Sequence, residues 1–143
     1  MTGMNWKRVF LVWLMIAAAE TANGSLRRLF LVPFIGDMPS RQIGVFLGSA
    51  LIFLITALCR RTFVLASTRQ QLLAGAFWVL LTLCFEVGLG LLTGATWERI
   101  LSDYDLRQGG LMIFGLTFML FSPLLAAKLP GVREPDNRKR YFK

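Results

Sequence analysis

Histidine is absent from this chain, and cysteine occurs only twice, at Cys59 and Cys84. Without an imidazole there is no histidine ligand for haem or zinc and no histidine general base. The two cysteines show neither a C-x-x-C spacing nor the framework of a disulfide-stapled domain, so they read as small buried hydrophobes. No P-loop occurs, and Gly88-x-Gly90 is an incomplete nucleotide fingerprint lying inside a helical pattern. Neither a cofactor nor a metal is expected. Charge is scarce as well: 17% of residues are charged, against about a quarter in an average soluble domain. Acids are the scarcer sign, 8 against 16 Lys and Arg, for a net charge of +8. The basic residues mark the ends of apolar stretches and the C-terminal tail. That is the distribution of a positive-inside membrane protein, and no nucleic-acid partner is expected from it.

What the chain has in quantity is apolar length, with 55% hydrophobic residues. A bilayer span takes about 20 mostly apolar residues. Four stretches qualify, at 9–24, 43–59, 72–92 and 109–127. The first reaches spanning length only if Glu20 and Asn23 lie within the helix. Trp6, Lys7 and Arg8 before it read as an interfacial anchor. A cleaved signal peptide is disfavoured, because Ala17-Ala18-Ala19 runs into Glu20 and cleavage would leave an odd number of spans.

The connections differ in character. Residues 25–40 carry Arg27 and Arg28, then an apolar run at 29–35 broken by Pro33 and too short to span. This run is expected in the outer interface or dipping back partway. Gly36 to Ser40 is turn chemistry, with Asp37 or Ser40 as the expected cap of the second helix. Residues 60–71 are short and basic. Residues 93–106 form the acidic connection, with Trp97, Glu98, Asp103 and Asp105. The fourth helix is expected from Arg107 to about residue 127, kinked by Pro123. Residues 128–143 form a basic tail, in which Arg138, Lys139 and Arg140 either touch anionic headgroups or simply enforce topology. The N-terminus, the 60–71 loop and the tail hold eleven of the sixteen Lys and Arg residues. Both termini are therefore expected in the cytoplasm, with the lipid bilayer as partner.

An ungapped shift of 66 residues superposes Glu20 on Glu86, Gly24 on Gly90, Asp37 on Asp103, Arg41 on Arg107, Gln42 on Gln108 and Gly44 on Gly110. Four leucine matches bring the identities to ten. Matches of Glu, Asp, Arg and Gln at one offset are informative because those residues are rare here. The fold expected is all-α: an integral membrane four-helix bundle of two tandem hairpins, a parallel internal repeat. One membrane domain covers 1–127, with repeats at 7–61 and 72–127 and a pseudo-twofold axis along the membrane normal. Gly44-x-x-x-Gly48 and Gly90-x-x-x-Gly94 would allow close helix approach.

Glu20, Asn23, Gly24 and Arg27 fall at i, i+3, i+4 and i+7, on one helical face. A lone carboxylate at that depth costs several kcal/mol or takes up a proton. Glu20 and Glu86 are therefore expected to meet Arg41 or Arg107. Two readings stay open. In one, the Glu–Arg pairs and the aspartate caps are structural. In the other, Glu20, Asn23, Arg41, Glu86 and Arg107 bind an ion or polar solute.

The run Phe85-Glu86-Val87-Gly88-Leu89-Gly90, the segment from Trp97 to Leu106, Gly109-Gly110-Leu111, Ala19-Glu20-Thr21-Ala22-Asn23-Gly24 and Arg41-Gln42-Ile43-Gly44-Val45 together resemble a family of small bacterial multi-pass membrane proteins of uncharacterised function. The resemblance covers most of the chain except the tail. It implies the bacterial cytoplasmic membrane and no chemistry. Three functions follow from the residues. The first is transport or channel-like passage, in an oligomer because a bundle this small leaves only a narrow cavity. The second is a structural or accessory subunit of a larger membrane complex. The third, an enzyme using Glu98, Asp103 and Asp105 for acid–base work or to hold a divalent cation, is the least supported, because no nucleophile–base pair accompanies them.

Overall fold

The computed structural model describes residues 3–130. Among them the protein is helical throughout, without a strand. The order is α1 (Trp6–Leu26), a π-helical turn (Arg27–Leu31), α2 (Val32–Ile35), α3 (Asp37–Leu58), a 3-10 turn (Arg60–Thr62), α4 (Thr68–Leu92), α5 (Trp97–Ser102), a second 3-10 turn (Leu106–Gln108) and α6 (Met112–Ala127). α1 packs on α3, α3 on α6, α6 on α4, and α4 also touches α1.

Three helical stretches are long and apolar enough to cross a membrane: Trp6–Ile35, Asp37–Leu58 and Thr68–Leu92. They carry many exposed large apolar side chains, among them Phe34, Phe46, Leu58, Leu80 and Leu92. Hydrocarbon accommodates such a surface and water does not. The fourth apolar helix, α6, has 16 residues. It begins later than the sequence suggests, because Gly109 takes a left-handed conformation (φ +81°). The side chain of Asp105 also caps the 3-10 turn ahead of it. Arg107 and Gln108 therefore sit on that turn and do not open α6.

The first helix departs from expectation in the opposite sense. The run after Arg27 does not leave the helix. It continues through the π-turn, in which the Val32 N–H reaches back to the Arg27 carbonyl. Pro33 follows immediately, at the start of α2. Proline removes a donor and crowds the carbonyl four residues back. A widened turn absorbs that crowding and lets the chain stay helical to Gly36, whose φ of +85° ends it. Gly36 is also the N-cap of α3 and contributes no side-chain bond. Neither expected cap acts as one: Asp37 lies in the first turn, and Ser40 Oγ donates to the Asp37 carbonyl at 2.8 Å. α4 starts four residues earlier than expected, on a capping box of Ser67 and Gln70.

Its well-packed core lies at one end. Val9, Val12, Trp13 and Ile16 of α1 meet Ala74 and Trp78 of α4, Ile52 of α3, Met119 of α6, and Met4 and Phe63 from the adjoining segments. Trp78 Nε1 donates to the Val9 carbonyl at 2.9 Å, and Phe63 packs edge-on against Trp78 at 5.5 Å. The 60–67 connection is pinned by Gln71, whose amide donates to the carbonyls of Phe63 (2.9 Å) and Ala66 (3.1 Å). Arg60 reaches the Leu129 carbonyl at 3.0 Å, so the end of α6 lies at the same end of the molecule as this loop. Gly3, Met4, Asn5 and Arg8 line a small cleft with Arg61 and Leu65, which places the start of α1 there too. Lys7, Arg8, Arg60, Arg61 and Arg69 lie at or near this end, and the described acids belong to the opposite half. The tail residues Arg138, Lys139 and Arg140 fall outside the described residues.

Candidate functional site

The opposite half holds an open-mouthed cavity of about 250 Å³ between α1, α3, α4 and α6. Helical spacing on α1 delivers Glu20 and Asn23 to it, the π-turn that continues α1 adds Arg27 and Arg28, and α3 delivers Arg41, Gln42, Gly44 and Gly48. α4 contributes Thr82, Phe85 and Glu86, and Asp103 comes from the turn after α5. Thr82 lies four residues before Glu86, so the two share a face of α4.

The two glycines of α3 make room for the polar stripe of α1. A Cβ at Gly48 would lie 2.6 Å from Glu20 Oε2, and one at Gly44 would lie 3.0 Å from Cδ of Arg27. Asn23 Nδ2 also donates to the Gly44 carbonyl, at 3.4 Å. The first G-x-x-x-G pair thus admits side chains where close backbone contact was expected. The second pair splits: Gly90 faces the Ile100 side chain, and Gly94 has φ +82° beyond the helix. The close backbone approach belongs to Gly75 of α4, where any Cβ would collide with the Leu120 carbonyl of α6.

Arg41 is 14% exposed and bridges two acids, with Nε 3.3 Å from Asp37 Oδ2 and Nη1 on Asp103 Oδ1. Arg99 repeats the bridge from the surface, at 3.3 Å to Asp37 and 3.4 Å to Asp103. Arg27, 13% exposed, lies 3.9 Å from Asp37. The glutamates have no such partner: among the described residues no Lys or Arg nitrogen comes within 4.0 Å of Glu20 or Glu86. Glu20 Oε1 is buried and accepts no hydrogen bond. The ion pairs expected between the glutamates and Arg41 or Arg107 are thus not formed, because the aspartates hold Arg41. Arg107 is exposed on its 3-10 turn and stands apart from the cavity walls.

Comparison with known protein families, with curated proteins and with solved structures found no match. Glu20, Asn23, Arg41 and Glu86 line one cavity, and Arg107 lies outside it. Of the acids in the 93–106 connection, Glu98 is exposed in the first turn of α5. Asp105 is occupied by the Arg107 N–H at 2.9 Å and Gln108 Nε2 at 3.1 Å. Asp103 alone of the three reaches the cavity. No group of three or more His, Cys, Asp or Glu among the described residues is placed to hold a metal ion.

Sequence reasoning undervalued the apolar floor. Trp13 Nε1 donates to Thr82 Oγ1 at 3.0 Å, and that hydroxyl lies 3.4 Å from Met119 Sδ. This chain of contacts ties α1, α4 and α6 together beneath the two glutamates. Its signal was a polar threonine one turn before Glu86 in an apolar helix. Arg27 was equally legible as the last member of the Glu20 stripe.

Proposed function

We propose that this chain is a multi-pass protein of the bacterial cytoplasmic membrane whose cavity takes up a small ion or polar solute for passage across the bilayer. α1, α3, α4 and α6 form a four-helix bundle of two parallel hairpins, with both termini cytoplasmic and the cavity opening outward. The clustering of cations, without described acids, at the end shared by the start of α1, the 60–67 loop and the end of α6 supports this orientation. The tandem reading is supported by Asp37 and Asp103, which stand 66 positions apart and share their arginines.

One observation carries the functional reading: Glu20 and Glu86, from different helices, line one cavity, and among the described residues neither has a Lys or Arg nitrogen within 4.0 Å. Ionisable groups placed so within a membrane are costly, and binding or conducting a charged species is what justifies them. Reconstitution into liposomes under a potassium gradient reads proton entry with trapped pyranine and cation entry with a potential-sensitive dye. Entry above that of empty liposomes, lost in Glu20→Gln and Glu86→Gln, is the expected result. Flux that survives both substitutions rejects these roles.

A second reading, an accessory subunit of a larger membrane complex, is favoured by Trp97, which is 56% exposed on α5. Purification from native membranes separates the two, since recovery of a lone homo-oligomer speaks against the subunit.

A further inference from the structure

Every guanidinium on the cavity wall that contacts an acid contacts an aspartate. Arg41 is held by Asp37 and Asp103, and Arg27 lies beside Asp37. Among the described residues, three charges on the cavity wall have no ion-pair partner: the half-buried Glu20, the exposed Glu86 and the exposed Arg28. The space is also far larger than a bare ion needs: about 250 Å³, where one water occupies about 10–15 Å³ on a comparable measure. The inner part of the lining is apolar, from Trp13, Ile16, Ile52 and Met119, with Phe85, 37% exposed, beside them. Trp13 and Phe85 stand edge to face with centroids 6.2 Å apart. Aromatic faces attract cations, most strongly where water is excluded.

We infer that the cavity binds a small organic cation, an ammonium or amidinium group on an apolar body. Glu20 and Glu86 are its counter-ions, and Trp13 and Phe85 are walls for its apolar part. The inference rests on the reading that the cavity takes a solute, and it names the class. Gly48 belongs to the same design, because any side chain there would press on the Glu20 carboxylate. An anion is the competing occupant, since Arg27 Nη1 and Arg41 Nε are buried without a hydrogen-bond partner and Arg28 lies on the same wall; the phenylacetate arm of the test decides between the two. A metal ion lacks both the ligand set and the fit.

The test titrates the purified full chain in detergent with benzyltrimethylammonium, a permanent aromatic cation, and with phenylacetate, an anion of similar size. Calorimetry and tryptophan fluorescence provide the readouts. Saturable binding of the cation with none of phenylacetate is expected, and Glu20→Gln and Glu86→Gln should each weaken it by about tenfold or more. Tighter or equal binding of phenylacetate, or an unchanged affinity in the double glutamine variant, overturns the inference. Where a variant fails to fold, as judged by its elution and helicity, the cation–anion comparison on the unaltered protein still decides. Cation binding without liposome flux removes the passage reading and leaves the binding class standing. Proton flux without cation binding does the reverse.

Discussion

Asp37 and Asp103 hold the same two guanidiniums, those of Arg41 and Arg99. The first aspartate opens α3 and the second follows α5, so the four side chains fasten the two halves of the chain together at the mouth of the cavity. The two arginines differ in burial: the Arg41 side chain is 14% exposed and that of Arg99 is 43% exposed. A partly buried bridge broken on one side leaves uncompensated charge, whereas an exposed pair is screened by water. Arg41→Ala should therefore cost about 2 kcal/mol or more of stability, and Arg99→Ala less than about 1 kcal/mol. Unfolding in mixed micelles measures both, and equal costs would show that the cluster is not organised around Arg41.

Glycine substitutions should separate packing from site chemistry. At Gly75 a methyl group meets the backbone carbonyl of Leu120, which cannot move without shifting α6. At Gly48 it meets the carboxylate tip of Glu20, which can rotate aside. Gly75→Ala should destabilise by about 2–3 kcal/mol through overpacking. Gly48→Ala should change stability by less than about 1 kcal/mol yet reduce cation binding and flux. If Gly48→Ala proved the more destabilising, Glu20 would be wedged in place and not free to turn.

Orientation can be read from two single cysteines in a background carrying Cys59→Ala and Cys84→Ala. Leu65 is 77% exposed in the basic connection, and Leu106 is 52% exposed at the opposite end. A membrane-impermeant maleimide applied to intact cells should label Leu106→Cys, and label Leu65→Cys only after permeabilisation. The reverse pattern would invert the topology and turn the cavity toward the cytoplasm.

The helical class and the polar stripe were open to inspection in the sequence because both rest on periodicity. Glu20, Asn23 and Arg27 must share a face whatever surrounds them. What periodicity could not supply was the choice of partner. Arg41 had candidate acids in Glu20, Glu86, Asp37 and Asp103, and only the folded position of the turn after α5, beside the start of α3, hands it to the aspartates. The same limit applied to Gly44 and Gly48, whose spacing signals room without saying what fills it. The late start of α6 turned on the left-handed Gly109 and on the Asp105 cap. The 66-residue offset obscures both, because it matches Arg107 and Gln108 to residues inside α3. The continuation of the first helix past Pro33 depended on a π-turn, which leaves no reliable trace in composition.

Tyr104 provides a pH test outside the apolar helices. It is half-buried in the turn after α5. Burial, followed by the negative charges of Glu86 and Asp103, pushes its phenol above the ordinary value of 10.0. The native state therefore holds this proton more tightly than the unfolded chain does. The stability so contributed is complete below the unfolded value of about 10 and is lost as pH rises through the higher folded value. Phenolate absorbance of the native protein should show a titration above 10.0 that disappears in Tyr104→Phe. The same substitution should flatten the fall in thermal midpoint on the alkaline side. A component lost at or below the ordinary phenol value would mean that Tyr104 is hydrated and distant from both carboxylates. In that case the turn after α5 could not lie against the cavity as described.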